Sequence, residues 1–497
     1  VKDLLLHRSN NRSQFMIFRK LGHRKDIVKG TFTILVISLL QPATNFLLLP
    51  VFTKFLDTRS YGYFSILNNI SLFFSIISGL NIASAIAAHY KSFTTPTALK
   101  LFIGNTISFS VLFNTALLLI ICLFGTPFAN LIFKEHINFF PDVFLAIAVG
   151  LFSSIFILFG YYLRYDKQIT RFSILSVLQI LLLVGSQLLS LYFTKLGVTG
   201  IMWARFFSAM GIFIVILAIH RKYSFKRIRF RENLQKPLKY SIMTGPAFLI
   251  VWLTTYGDRF VLEHFMDLKS VGQYSFLVTI CSVSELAIFA LNSAFQPYIF
   301  DRFAVNPEYA KNFYKIFMVL CLAGLSALIV LCSNIDIFIN NNEFLTTLPF
   351  TIPMVTAFVF SAVSNLYALQ ITFAQKGSYY LILSVIVLLS NIGLNFLLIP
   401  GNGIRGAIAA NIITKVVMTI TVMYLSKKAF YISNIKQTAA MVIFFLGVEY
   451  LIWSMGVFHL VNFRMAGFLQ FGVLLSCIFI FYRKELRAFP IFSKQIT

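Results

Sequence analysis

Long apolar stretches nearly free of Asp, Glu, Lys and Arg recur along the whole chain. They cover 30–53, 61–90, 101–133, 143–163, 172–194, 196–220, 240–257, 270–300, 316–335, 344–375, 377–404, 406–426, 437–463 and 465–482. Ten of these fourteen stretches hold no charged residue, and four hold one each. About 20 apolar residues cross a bilayer core, so every stretch is long enough to span. With no water at the bilayer centre, the backbone must satisfy its own hydrogen bonds, which makes these segments helices. Strands of a membrane barrel would be about half as long and would alternate polar with apolar. The pattern therefore predicts an all-α polytopic membrane protein with about 14 spans. The first apolar run follows 29 residues of basic sequence. It lies too far along the chain, and is too long, for a cleavable signal, and is expected to remain as the first helix.

Composition sharpens this picture. The 497 residues are 58% hydrophobic and only 12% charged, against about 25% charged in soluble domains. A soluble enzyme is excluded, because so few charges could not cover a water-facing surface. Yet 42 Lys and Arg face 17 Asp and Glu, a net charge of +25. With the N-terminal segment inside, 32 of the cations fall in cytoplasmic segments, 8 in outer loops and two within spans. That asymmetry follows the positive-inside rule and places both termini in the cytoplasm. The largest inside loop, 221–239, carries eight of them. It reads as a topology-setting, headgroup-binding loop. No nucleic-acid partner is expected, since the rest of the chain offers no binding surface. The five cysteines all lie in apolar runs without metal-binding spacing, so they read as small buried hydrophobes. No metal and no cofactor is expected.

The same spelling occurs on both sides of the central loop. FLDTRSYGYFSIL at 55–67 and FMDLKSVGQYSFL at 265–277 share six of thirteen positions at an offset of 210, among them Asp57/Asp267 and Gly62/Gly272. GVTGIMWA at 197–204 and GIRGAIAA at 403–410 match at an offset of 206. Six spans separate the copies, an even number, so the two halves have the same orientation and form parallel repeats. The expected architecture is a basic cytoplasmic segment 1–29, a six-helix lobe 30–220, the loop 221–239, a second lobe 240–426, two further helices in 437–482 and a cytoplasmic tail 483–497. Two such lobes facing a central cavity suit alternating access. Pro42, Pro246, Pro297, Pro349 and Pro353 sit within or near spans, where proline can bend a helix.

Ionisable residues inside a membrane are costly and usually face a cavity or a partner. Arg205 and Lys415 lie in the spans 196–220 and 406–426. As a facing pair of cavity cations they would attract an anion such as a phosphate or pyrophosphate; the competing reading is snorkelling or pairing with an acid. By the 206 offset, Arg205 corresponds instead to Asn411, one turn before Lys415. Glu285, in the span 270–300, is a candidate for coupling or for pairing with a cavity cation. Asp258 and Arg259, adjacent at an outer helix end, are candidates for gating or for capping. Glu449 lies outside the repeat and reads as peripheral. No catalytic motif appears, and no soluble segment is long enough for an ATPase, so a transporter rather than an enzyme is expected.

LPVFTKFLDTRSYGYFS at 49–65, YGDRFVLEHFMDLKSVGQYSF at 256–276 and IPGNGIRGAIAA at 399–410 resemble the polysaccharide-transporter branch of the MOP exporter superfamily, the Wzx-type flippases of bacterial O-antigen and capsule pathways. The resemblance implies movement of an undecaprenyl-pyrophosphate-linked oligosaccharide across the bacterial inner membrane by alternating access. Arg205 and Lys415 would meet the headgroup while the lipid tail stays in the bilayer between the lobes. Polysaccharide polymerases and glycosyltransferases would be its partners, and membrane lipids its surroundings. Lys54 stands where relatives commonly carry Arg, which keeps the charge but loses the bidentate fork. Two rivals remain at this stage. One is a small-molecule or drug antiporter of the same architecture. The other is a membrane polysaccharide polymerase, disfavoured because the outer connections are short.

Overall fold

A computed structural model describes residues 24–78, 82–83, 86, 95–134, 139–221, 234–305, 307–339, 341–430 and 435–457, with isolated positions between 468 and 476. Among these residues the chain is helical throughout, without strands. The helices are α1 (Arg24–Phe55), α2 (Thr58–Ser78), α3 (Pro96–Ile132), α4 (Phe144–Tyr165), α5 (Ile169–Phe193) and α6 (Gly197–His220), then α7 (Gln235–Phe265), α8 (Leu268–Val305), α9 (Pro307–Ser333), α10 (Thr351–Phe373), α11 (Gly377–Ala429) and α12 (Ile435–Val457). Eight helical stretches are long and apolar enough to cross a membrane by length and composition. The stretches predicted at 377–404 and 406–426 are the two arms of α11, which breaks at Gly403. The last predicted stretch, 465–482, lies almost wholly outside the described residues, as do the segments 1–23 and 222–233. The count of fourteen is therefore approximate.

The sequence repeat is a structural repeat. In the first lobe α1 packs on α5, α2 on α4, α3 on α4 and α4 on α6. In the second, α7 packs on α11, α8 on α10, α9 on α10 and α10 on α11. This is the same scheme displaced by six helices, counting the arms of α11 separately. α12 packs on α9 and α10, on the flank of the second lobe.

The paired motifs have paired geometry. Asp57 caps α2 by accepting from the Ser60 amide at 2.9 Å, and Asp267 caps α8 by accepting from the Ser270 amide at 2.7 Å. An aspartate there satisfies a free helical N–H and opposes the positive end of the helix dipole. The Ser60 hydroxyl also holds the Asp57 carboxyl below the usual carboxylate range. At the other motif, Gly197 and Gly403 both adopt left-handed φ, +55° and +53°, a conformation that Cβ-bearing residues adopt only at a cost. Three residues on, Gly200 and Gly406 line tight corners. A Cβ at Gly200 would lie 2.6 Å from Ser190 Oγ, and one at Gly406 2.6 Å from the Leu398 carbonyl carbon. That second contact shows α11 folding back on itself at IPGNG, where Pro400 and Gly403 interrupt the helix.

One end of the bundle carries the α1–α2, α3–α4, α5–α6 and α7–α8 connections and the bend of α11; we call it the hairpin end. The opposite, basic end carries Arg164, Lys167, Arg171, Arg221, Lys376, Lys427 and Lys428. The lobes meet at the hairpin end. There Gly62 of α2 and Gly272 of α8 lie backbone to backbone: a Cβ on Gly62 would stand 2.7 Å from the Gly272 amide nitrogen, and one on Gly272 2.9 Å from that of Gly62. Ser65 Oγ donates to Ser275 Oγ at 2.8 Å, joining two residues that are themselves repeat-equivalent. A pseudo-twofold axis therefore passes through this seam. The main apolar core runs across it, from Leu48–Phe74 to the whole second lobe. A separate core fills the basic half of the first lobe, and among the described residues Leu234 and Leu238 at the start of α7 join it from the second.

Candidate functional site

The seam is held by polar contacts on each side of the glycine pair. Thr58 Oγ1 donates to Glu343 Oε2 at 2.6 Å, and Lys269 Nζ lies 3.7 Å from Glu343 Oε1. Asn341 donates to the Thr53 carbonyl at 3.3 Å, and the Tyr61 and Thr279 hydroxyls are 3.3 Å apart. Deeper in, Trp252 Nε1 of α7 donates to the Asn69 carbonyl of α2 at 3.2 Å. Of the predicted repeat residues, Gly62 and Gly272 form the contact itself, while Asp57 and Asp267 cap the two helices that make it. Pattern reading located these four and did not reveal that the two motifs touch.

The candidate cavity and gating charges separate into two groups, one per lobe, while Glu449 is buried in α12 outside both. In the first lobe, Arg205 of α6 donates through Nη2 to Asn68 Oδ1 of α2 at 2.7 Å, and its guanidinium lies 5.5 Å from the Phe64 ring centre. Its Nε is buried without a hydrogen-bond partner among the described residues. In the second lobe, Lys415 Nζ lies 3.8 Å from Glu285 Oε1. Lys415 thus has an acid beside it, whereas Arg205 is held by an amide and an aromatic face. Asp258 and Arg259 are both buried and bonded to each other at 2.8 Å. Tyr274 donates to Asp258 Oδ2 at 2.5 Å, and Arg259 donates to the Thr255 carbonyl at 2.9 Å. The Arg259 guanidinium also lies 5.4 Å from the Tyr256 ring centre, so Asp258, Arg259, Tyr274 and Tyr256 form one polar network in the second lobe. The repeat equivalents of Asp258 and Arg259, at the 210 offset, are Leu48 and Leu49, both buried. The network therefore belongs to one lobe only.

Contacts also decide the register of the repeat in α6. Arg205 lies against Phe64, and Asn411 stands within reach of the Tyr274 side chain. Phe64 and Tyr274 are equivalent at the 210 offset, so Arg205 corresponds to Asn411 and not to Lys415. Lys54 lies outside both clusters, over the rings of Phe55 and Tyr192 at 5.7 and 6.0 Å.

Beneath the seam, between the lobes, lies an apolar cavity of about 370 Å³. Phe73, Phe74, Phe133, Trp252, Phe260 and Asn395 are among the residues that line it. Leu253, Ile392 and Phe396 belong to the same lining and are exposed.

Three seam-side acids escaped the sequence reading: Asp142, Glu343 and Glu263, which is buried and accepts from the Lys134 amide at 3.0 Å. Asp142 and Glu343 each stand one residue before a predicted span, 143–163 and 344–375, so the apolar pattern leaves them outside the spans. The usable signal was their position. A carboxylate next to an apolar run falls at a helix start, where it packs against neighbouring helices.

Two parallel six-helix lobes, sealed at one end about a pseudo-twofold axis, define the class: this is the MOP-type transporter fold. The comparisons agree. The chain is similar to the lipid II flippase MurJ in an inward closed conformation, with 16% identity, 90% of this chain and 100% of that one covered, and a TM-score of 0.62. It is also similar to an inward-facing multidrug resistance MATE family transporter of the MOP superfamily, with 16% identity, 78% and 95% covered, and a TM-score of 0.58. An outward-facing MATE transporter follows with 15% identity, 85% and 97% covered, and a TM-score of 0.53. A comparison with curated proteins finds no match. Residues 27–303 match the polysaccharide biosynthesis protein family, and the chain belongs to that family.

Proposed function

We propose that this protein is a flippase that moves an undecaprenyl-pyrophosphate-linked oligosaccharide across the bacterial inner membrane, with the hairpin end outside and both termini in the cytoplasm. The observation that carries the reading is the glycine seam. Two pseudo-symmetric lobes touch backbone to backbone at one end, and a contact of that kind can open while a matching one forms at the other end. This is the requirement of alternating access. Family membership points to a polysaccharide precursor as cargo, and the sequence motifs' resemblance to Wzx-type flippases points to the lipid-linked form.

The chemistry of the two clusters suits an anionic headgroup. Arg205 has no carboxylate among its hydrogen-bond partners in the described residues of the first lobe, which suits its field to a phosphate. Lys415 would contribute once its bond to Glu285 is exchanged for one to the headgroup. The apolar cavity between the lobes supplies a hydrocarbon environment beside the polar headgroup path, as a lipid tail requires. Such substrates would come from glycosyltransferases and pass to a polysaccharide polymerase.

The test is periplasmic exposure of the lipid-linked glycan. Arg205→Ala should abolish it at normal membrane abundance, and Glu285→Gln should retain more of it. Wild-type surface polysaccharide in Arg205→Ala would refute the assignment. The reverse order, with Glu285→Gln the more damaging, would favour a cation-coupled small-molecule antiporter.

A further inference from the structure

Both lobes build the apolar cavity beneath the seam. Phe73 of α2, Ile147 of α4 and Phe133, just after α3, wall it from the first lobe; Trp252 and Gly257 of α7 and Phe396 of α11 wall it from the second. Contacts across the gap hold these walls together. The Phe133 and Phe260 rings stack with centres 6.3 Å apart, the Phe73 and Trp252 rings lie 4.7 Å apart, and the Lys134 amide donates to Glu263 of α7 at 3.0 Å.

Gly257 makes the room. It lies inside α7, where glycine weakens a helix relative to alanine or leucine, and a Cβ built on it meets nothing within 4 Å. The lobes face each other along two gaps, α2 against α7 and α1 against α8. In the α1–α8 gap, at the 210 offset, Leu47 stands for Gly257, Pro42 for Trp252 and Val283 for Phe73. The glycine and its aromatic surroundings are therefore particular to the α2–α7 gap.

Size, depth and chemistry select the occupant. The volume of about 370 Å³ is more than twice the roughly 150 Å³ of an apolar cavity that takes up benzene. A trapped water needs about two to four polar partners. Here Asn395 donates to Asn391 Oδ1 at 3.1 Å, which leaves Asn395 Oδ1 as a single acceptor without a partner among the described residues. Hydrocarbon suits such walls better than water does. On α7 the lining runs from Trp252 to Val261, within about 20 Å of the Phe265 end at 1.5 Å rise per residue. On α4 it includes Val143 and Ile147, at the start of the helix. The cavity thus lies in the half of the bilayer next to the hairpin end. While the seam is shut, cargo reaches the protein from the opposite end, so its tail is not the chain at hand; this step rests on the alternating access proposed above. Lys134 follows Phe133 of the wall and is exposed at the hairpin end, the level at which a lipid of that leaflet carries its phosphate.

We propose that the cavity is a binding site for one acyl chain of a glycerophospholipid of the hairpin-side leaflet, with the lipid phosphate at Lys134. The chain supplies the dispersion contacts that the walls cannot make with each other. Binding to the sealed, folded protein stabilises it by mass action.

Trp252 is the reporter for the test. The chain has three tryptophans, so Trp203→Phe with Trp453→Phe leaves Trp252 alone, in the cavity wall. The full chain in detergent is titrated with phosphatidylglycerol brominated along its acyl chains, a contact quencher. Quenching should saturate at one lipid per protein. Gly257→Leu should raise the lipid concentration required by about tenfold or more, because the new side chain displaces at least two methylene groups of the lipid. Its unfolding midpoint without lipid should equal or exceed that of the parent, which shows that it folds, and Gly257→Ala should bind nearly as the parent does. Lys134→Gln should weaken binding about two- to fivefold. Quenching that rises without saturation, or that saturates alike in the parent and in Gly257→Leu, overturns the proposal. So does a Trp252 that is never quenched, since a segment of the chain itself would then cover the cavity. Undecaprenyl phosphate that displaces the brominated lipid at lower concentration than unlabelled phosphatidylglycerol assigns the cavity to the cargo tail and also overturns it. A normal lipid titration in a protein that fails to flip glycan supports the site and counts against the cargo assignment alone.

Discussion

The glycine seam makes a quantitative demand. In Gly62→Ala the new methyl group would stand 2.7 Å from the Gly272 amide nitrogen, and closer still to the Leu268 carbonyl oxygen, where ordinary contact begins at 3.4 Å. Both neighbours are backbone, so no rotamer change relieves the clash. α2 and α8 must separate by at least the difference, and Ser65–Ser275, one turn further on, is stretched with them. Overpacking of this kind costs about 1–3 kcal/mol, and a weakened buried hydrogen bond adds about 0.5–1.5 kcal/mol. A penalty of roughly 2–4 kcal/mol falls on the sealed state and spares the open one, which shifts the equilibrium about 30- to 800-fold. The interlobe distance between spin labels at positions 59 and 264 should therefore move from a short to a long population. Transport should fall, because the carrier cannot reseal. The packing within each lobe does not involve this contact, so thermal stability should change little by comparison. A Gly62→Ala protein with the wild-type distance distribution would refute the reasoning.

Two further outcomes follow from the helix ends. Gly403→Ala should destabilise the second lobe by about 1–3 kcal/mol, because φ +53° and ψ −127° are accessible chiefly to glycine and the methyl would press on Met266. The loss should exceed that of Gly197→Ala, where a Cβ meets nothing, and a thermal-unfolding midpoint that is unchanged would contradict the assignment. Asp57→Ala should cost about 1 kcal/mol through loss of the α2 cap. Because the Ser60 hydroxyl depresses the Asp57 titration in the folded state, the contribution of the charge is complete above the ordinary carboxylate range. It fades as pH falls through the depressed value. Wild type and Asp57→Ala should accordingly converge in acid, and a gap that widens there would exclude this origin.

Much of the architecture is legible in the residues because its causes are local or periodic. Apolar runs of bilayer length and the need for internally satisfied backbone bonds dictate spanning helices. The matched spellings at offsets of 210 and 206 dictate two parallel lobes, and their glycines and aspartates mark the caps and corners of each. The resemblance to the polysaccharide-transporter family rests on the same motifs. Tertiary structure alone decides which of these features meet. That Gly62 touches Gly272, that Arg205 is equivalent to Asn411, and that Lys415 faces Glu285 depend on how helices distant in the chain pack. One-dimensional spacing carries no information on that packing. Asp142 shows the limit most clearly. Its sequence position, one residue before an apolar run, reads as the rim of a loop. Three helices converging on that rim turn it into a buried carboxyl, because burial is a property of the neighbours and not of the residue.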